Sequence, residues 1–249
     1  TIGVEEWLNV WDGRAPRGTS AQSTISSLTM GELRALDEQD GATFYERLDR
    51  EKMNYGWIEG SPEFKAEVAK LYRREVNPDH ILQTNGCTGA NLNAIMAVVE
   101  PSDHVIAEWP TYAPLYEIPR TLGAEVEYWE LREELGWKPD IEELKRLVRP
   151  NTKLICINNA SNPIGTVLDA DMLGQIAEIA RSVGAYVLCD EYICRSKTLS
   201  PLCRWSTCTR GPLSPTRCRR PIRHLRPAWA GSWQTKRCPT ASVPIAITP

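Results

Sequence analysis

The sequence predicts an α/β fold with a largely parallel sheet, and three observations carry that prediction. Between residues 61 and 190 apolar strand-like stretches alternate with amphipathic helix-like ones. Ser61-Pro62, Asp140 and Asp169 stand where helices should open, and these are residue types that begin helices. The alternation then stops near residue 194, so the fold belongs to the part of the chain before it.

Taken in order, Ser61-Pro62-Glu63 opens a helix, with a proline at a position where its missing N–H costs little. Phe64, Val68 and Leu71 continue it at helical spacing to about residue 76. Ile81-Leu82-Gln83-Thr84 reads as a short strand, residues 86–89 as a glycine-bounded turn, and residues 91–99 as a helix. His104-Val105-Ile106-Ala107 and residues 125–129 read as strands. Asp140 caps a helix running to about residue 148. Leu154-Ile155-Cys156-Ile157 is an apolar strand, Asp169 caps a helix to about residue 183, and residues 185–189 form a last strand.

A chain of 249 residues suffices for one large domain or two small ones. Its 42% hydrophobic content is that of an ordinary soluble protein. No apolar run approaches the ~18 residues of a membrane span. No charged-then-apolar leader opens the chain, so a cytoplasmic protein with no membrane partner is expected. The net charge of −3 hides a split: residues 1–194 carry 18 Lys and Arg against 32 Asp and Glu, whereas residues 195–249 carry 11 Lys and Arg and no acid. Those last 55 residues also hold eight prolines and only eight Leu, Ile, Val and Phe, too much of the one for helices or central strands and too little of the other for a core. None of the eight cysteines forms a Cys-x-x-Cys pair, so no metal site is expected. Cys156 and Cys189 read as buried structural thiols.

Four motifs fall at the ends of predicted strands, where α/β sheets bind ligands. Asn85-Gly86-Cys87-Thr88-Gly89-Ala90 joins a strand to a helix, and the amides of such a turn can meet an anion. Taken alone, it is equally an ordinary tight turn. Trp109-Pro110-Thr111-Tyr112 places an aromatic where it could stack on a flat ring, or simply pack a loop. Asn158-Asn159-Ala160-Ser161-Asn162-Pro163-Ile164-Gly165 can aim an amide at a ligand oxygen, or be a solvated turn. Asp190-Glu191 ends an apolar strand, where a buried carboxylate needs a partner such as a protonated ring nitrogen; its bland reading is a surface acid.

In this order and spacing the four motifs resemble the class I and II aminotransferases, which use pyridoxal 5'-phosphate and share the aspartate-aminotransferase fold. The resemblance covers about residues 20–191, roughly half of a full-length member, and looks nearest to the members related to capreomycidine synthase. It implies a three-layer sandwich around the mostly parallel sheet, here incomplete. Residues 1–50 would be the start of the small domain, 51–191 part of the large cofactor-binding domain, and 192–249 an out-of-frame or disordered basic tail. It implies that the amides of Gly86, Cys87 and Thr88 hold the cofactor phosphate and that Tyr112 stacks on the pyridine ring. Asn162 would bond the ring hydroxyl, and Asp190 would pair with the ring nitrogen and keep it protonated. Tyr55, in Asn54-Tyr55-Gly56-Trp57, matches a tyrosine that reaches the phosphate of the neighbouring subunit, which implies a homodimer. The substrates implied are amino acids and 2-oxo acids; elimination and cyclisation on the same fold stay open.

The sequence departs from the family at residue 164 and again after Glu191. Ile164 replaces the threonine of Asn-Pro-Thr-Gly, a mild change. The tyrosine expected three positions after Asp190 is Ile193, with Tyr192 one place early. No lysine stands some thirty residues after Asp190, where the family's Schiff-base lysine belongs; Lys197 comes too early. A frame change after Glu191 accounts for the departures that follow Asp190. One G restored after Glu191 turns Tyr192-Ile193 into Val-Tyr. The same frame permits Thr-Asn-Ser-Leu-Ser-Lys across residues 214–220, an arginine at Pro227-Ala228 and Gly-Trp-Ile from Trp229. The expectation is therefore an aminotransferase-family chain that lacks its catalytic lysine and is inactive. The alternative is a non-catalytic fragment or binding module, with Arg217, Arg219, Arg220, Arg223 and Arg226 forming a nucleic-acid-binding arm; nucleic acid is not the expected partner.

Overall fold

The computed structural model describes residues 54–70 and 75–191, residues 28–35 and 49–52, two single positions (10 and 46), and four short strands beyond residue 192. The chain divides into two compact units, 1–54 with 234–240 and 55–233 with 241–249. In the first unit, helix α1 (Met30–Ala35) opens on a reciprocal cap. Thr29 Oγ1 accepts from the Glu32 amide, and Glu32 Oε2 accepts from the Thr29 amide.

The second unit runs α2 (Pro62–Ala69), β1 (Leu82–Thr84), α3 (Gly86–Val98), β2 (His104–Trp109), α4 (Pro114–Thr121), β3 (Glu125–Glu130), α5 (Ile141–Leu147), β4 (Thr152–Asn158), α6 (Ala170–Val183) and β5 (Tyr186–Asp190). Three helices open on the caps the sequence announces. Ser61 Oγ accepts from the Phe64 amide, Asp140 Oδ1 from Glu142 and Asp169 Oδ1 from Met172. β2, β3, β4 and β5 form one fully parallel sheet in the order β3-β2-β4-β5. Such a sheet is stable when both faces are covered, and here they are. Val105, Ala107, Leu154, Cys156, Tyr186 and Leu188 turn to one side and pack with Ala90, Ala94, Ile95 and Val98 of α3 and Leu115 of α4. Ile106, Trp129, Ile155, Ile157 and Val187 turn to the other and pack with Ile141 and Leu144 of α5 and Leu173 and Ile176 of α6. The result is three layers, as the resemblance implies. Ile155 and Leu154 are wholly buried, and a side chain of that size contributes about 1.5–3 kcal/mol by leaving water. The thiols of Cys156 and Cys189 are buried within it, as expected.

Four sequence expectations change. Residues 86–89 are the first turn of α3 and not a separate turn. α4 was not foreseen because Pro114 and Pro119 argue against a helix. Pro114 occupies the first turn, and burial of Leu115 and Pro119 against the core holds the rest. The tail was expected to hold no central strand, yet β6 (Cys208–Thr209), β7 (Ala228–Ala230), β8 (Pro244–Ile245) and β9 (Ile247–Thr248) lie in it. β7, which contains no proline, sits between β1, to which it runs parallel, and β8, to which it runs antiparallel. α2 ends at Ala69, short of the residue 76 that the sequence suggests: residues 75–76 are not helical, and Leu71 falls outside the described residues. Among the described residues no helix is long and apolar enough to cross a membrane.

The amino ends of the sheet strands are fastened by hydrogen bonds and ion pairs. His104 bonds Thr152 Oγ1 at 2.8 Å and Glu127 Oε2 at 2.9 Å, and Arg149 bonds Glu125 and Glu127. The opposite, carboxyl ends are where the motifs lie.

Candidate functional site

Strand alternation decides which side chains reach the site. Tyr186, Leu188 and Asp190 point to one face of β5, so Asp190 faces α3 as Tyr186 and Leu188 do. Asp190 is 1% exposed. Its Oδ2 accepts from Asn91 Nδ2 of α3 at 2.9 Å, and the Cys87 thiol, one helical turn earlier, also bonds it. Burial pushes the Cys87 thiol well above its usual range, and the Asp190 charge adds to that shift. The thiol therefore stays protonated and serves as a neutral neighbour of the carboxylate.

Asn158 partners Asp190 in the β4–β5 register. Its Nδ2 donates to the Asp190 carbonyl at 2.8 Å, while its Oδ1 accepts from the Asn162 amide at 2.6 Å. The Asn159 amide also donates to the Asp190 carbonyl, at 2.8 Å. Asn158 thus ties the end of β5 to the loop that carries Asn162. From β2, the buried Glu108 accepts the Asn158 amide at 2.9 Å. Burial raises the Glu108 carboxyl to about 8, the Asn158 amide acting the other way. The Cys156 thiol is pushed up by burial first and by the Glu108 and Asp190 charges second.

The first turn of α3 closes the site on another side. Asn85 gives this helix no side-chain cap, in contrast to Ser61, Asp140 and Asp169. Gly86 takes a positive φ of 72° as the chain turns into the helix. Thr88 Oγ1 lies 2.8 Å from the Tyr112 hydroxyl, which joins the helix start to the loop after β2.

Of the residues singled out from sequence, Gly86, Cys87, Thr88, Tyr112, Asn162 and Asp190 are therefore brought together at the carboxyl ends of β1, β2, β4 and β5. Tyr55 is not: it is fully exposed, beside the exposed Trp57 and Ile58. Sequence reasoning missed three residues that bind the cluster together. Asn158 was legible as the first asparagine of its motif. Asn91 was legible as a polar residue in the apolar stripe of Cys87, Ala90, Ala94, Ile95 and Val98. Glu108 had no signal beyond standing at a strand end. Among the described residues no cluster of His, Cys, Asp and Glu is arranged to hold a metal. The donor set instead suits a flat, phosphorylated cation: uncapped helix-start amides, two hydroxyls, a loop amide and a buried carboxylate.

A family model described as aminotransferase class I and II matches residues 31–192. The chain is 34% identical over 149 residues to a probable aspartate/prephenate aminotransferase of Thermus aquaticus, covering 58% of this chain and 39% of that protein. It is 30% identical over 188 residues to the capreomycidine synthase of Streptomyces vinaceus, covering 75% and 47%. The crystal structure of a PLP-dependent aminotransferase from Streptococcus suis 89-1591 superposes with a TM-score of 0.73 at 55% identity, over 76% of this chain and 50% of that one. The chain spans about two fifths to one half of the length of these three proteins.

Proposed function

Since the chain belongs to the class I and II aminotransferases, we propose that its second unit binds pyridoxal 5'-phosphate and that the whole protein moves amino groups between amino acids and 2-oxo acids. One observation carries this reading. Three strand ends and one helix start are joined by direct contacts among Thr88, Tyr112, Cys87, Asn158, Asn162 and Asp190. The amides of Gly86, Cys87 and Thr88 would hold the phosphate, with Tyr112 against the ring, Asn162 on its hydroxyl and Asp190 on its nitrogen. Bound there, the cofactor supplies an electron sink for the substrate carbon. The protein's part is to shield Asp190 from water and to hold its carboxylate, through Asn91 and Cys87, opposite the ring nitrogen. Tyr55 would serve the site of a second subunit in a homodimer.

This chain, in our reading, binds the cofactor without turning it over, because the lysine that would attach it covalently is missing after Asp190. The test is a cofactor titration of the 249-residue protein. Saturable uptake of pyridoxal 5'-phosphate is expected, lost in Asp190→Ala, with no borohydride-reducible imine formed at the site. No uptake by the wild type would sink the proposal. A second reading, a capreomycidine-synthase-like reaction on the same cofactor, has one observation in its favour: the match to capreomycidine synthase runs over 188 residues, against 149 for the Thermus aquaticus enzyme.

A further inference from the structure

α3 carries a fully buried amide in an otherwise apolar layer. Asn91 is 0% exposed and stands among Ala90, Ala94, Ile95 and Val98. A polar side chain in such a place is unfavourable unless it is hydrogen-bonded. Its Nδ2 reaches Asp190 Oδ2 at 2.9 Å, while its own Oδ1 meets no partner. The amide is thus only half satisfied, and the half that is satisfied is spent on one carboxylate. The residue four places earlier, Cys87, touches the same carboxylate from the same helix face. The Thr88 end of this helix also meets Tyr112.

We infer that Asn91 is a positioning residue: it fixes the Asp190 carboxylate in the orientation that receives the ring nitrogen of a phosphorylated pyridine. The inference rests on the cofactor reading above and adds to it how the two anchors are kept in register. One rigid helix presents the phosphate-facing amides at its start and grips the ring-facing carboxylate a turn later. The distance between the two anchors is then set by α3 and does not depend on loop conformation. Asn91 acts only through Asp190, so its removal should be felt by the ring nitrogen and by no other part of the ligand.

That restriction supplies the test. The purified 249-residue chain is titrated with pyridoxal 5'-phosphate and with the analogue whose ring nitrogen is replaced by C–H, following ligand absorbance at equilibrium. The wild type is expected to prefer the natural ring. Asn91→Leu should weaken binding of pyridoxal 5'-phosphate about 10-fold, the effect of one hydrogen bond to a charged group, and leave affinity for the analogue within about 2-fold. Asn91→Ala makes the same test should leucine fail to pack, and near-UV circular dichroism reports whether each variant is folded. A folded variant that keeps the wild-type preference, or loses both ligands equally, overturns the inference while leaving cofactor binding intact. A wild type that takes up neither ligand overturns the cofactor reading, and this inference with it.

Discussion

Glu108 is a carboxyl 1% exposed at the end of a central strand, and its value rises to about 8. An exposed glutamate titrates near 4.3, so the fold prefers the protonated form. The stability this contributes is complete below about pH 4 and is lost as pH rises towards 8, a drop on the order of a few kcal/mol. Glutamine keeps the acceptor for the Asn158 amide and cannot ionise. Glu108→Gln should therefore flatten the fall in stability between about pH 5 and 8 and leave the variant the more stable at the alkaline end. Urea midpoints measured across that range check it, and equal slopes for the two proteins would refute it. Asn158 offers a second case. Its side chain bonds both the Asp190 carbonyl and the Asn162 amide, so Asn158→Ala should cost about 1–3 kcal/mol and weaken cofactor uptake in the titration above.

At the scale of elements, the entry to β1 depends on one glycine. Gly60 has a φ of 98°, and a Cβ there would lie 2.6 Å from Gln83 Cβ. The neighbouring Glu59 carbonyl accepts the Gln83 amide at 3.1 Å. Gly60→Ala should cost about 1–3 kcal/mol, read as a lower denaturation midpoint. Elements whose signals are local were legible in the sequence. Asp140 and Asp169 announced their helices because an N-cap is a short-range hydrogen bond, and β4 and β5 were apolar enough to read as buried strands. α4 was illegible because its two prolines carry the local signal of a break, while the packing of Leu115 that overrides them is a tertiary fact. The site divides in the same way. Thr88, Tyr112 and Asp190 stand in motifs, but the link from Asn91 to Asp190 spans 99 positions and follows from where α3 crosses β5.

For the molecule as a whole, the family match ends at residue 192, where the composition of the chain changes. The proposed frame change predicts that nucleotide sequencing across Glu191 reveals one missing base relative to intact relatives, and an intact frame there would dispose of it. Restoring the base should yield a chain that borohydride couples to the cofactor and that sediments as a dimer, with Tyr55→Ala lowering cofactor affinity in that restored protein. A last consequence follows from the alternation of β5. Asp190 faces α3 only because it lies an even number of residues from Tyr186 and Leu188. One residue added to or deleted from this strand would swing the carboxylate to the α5–α6 side. The site can thus absorb many exchanges of side chain along β5, but it is intolerant of any change in that strand's length, and lineages that keep this chemistry should vary β5 in composition and never in count.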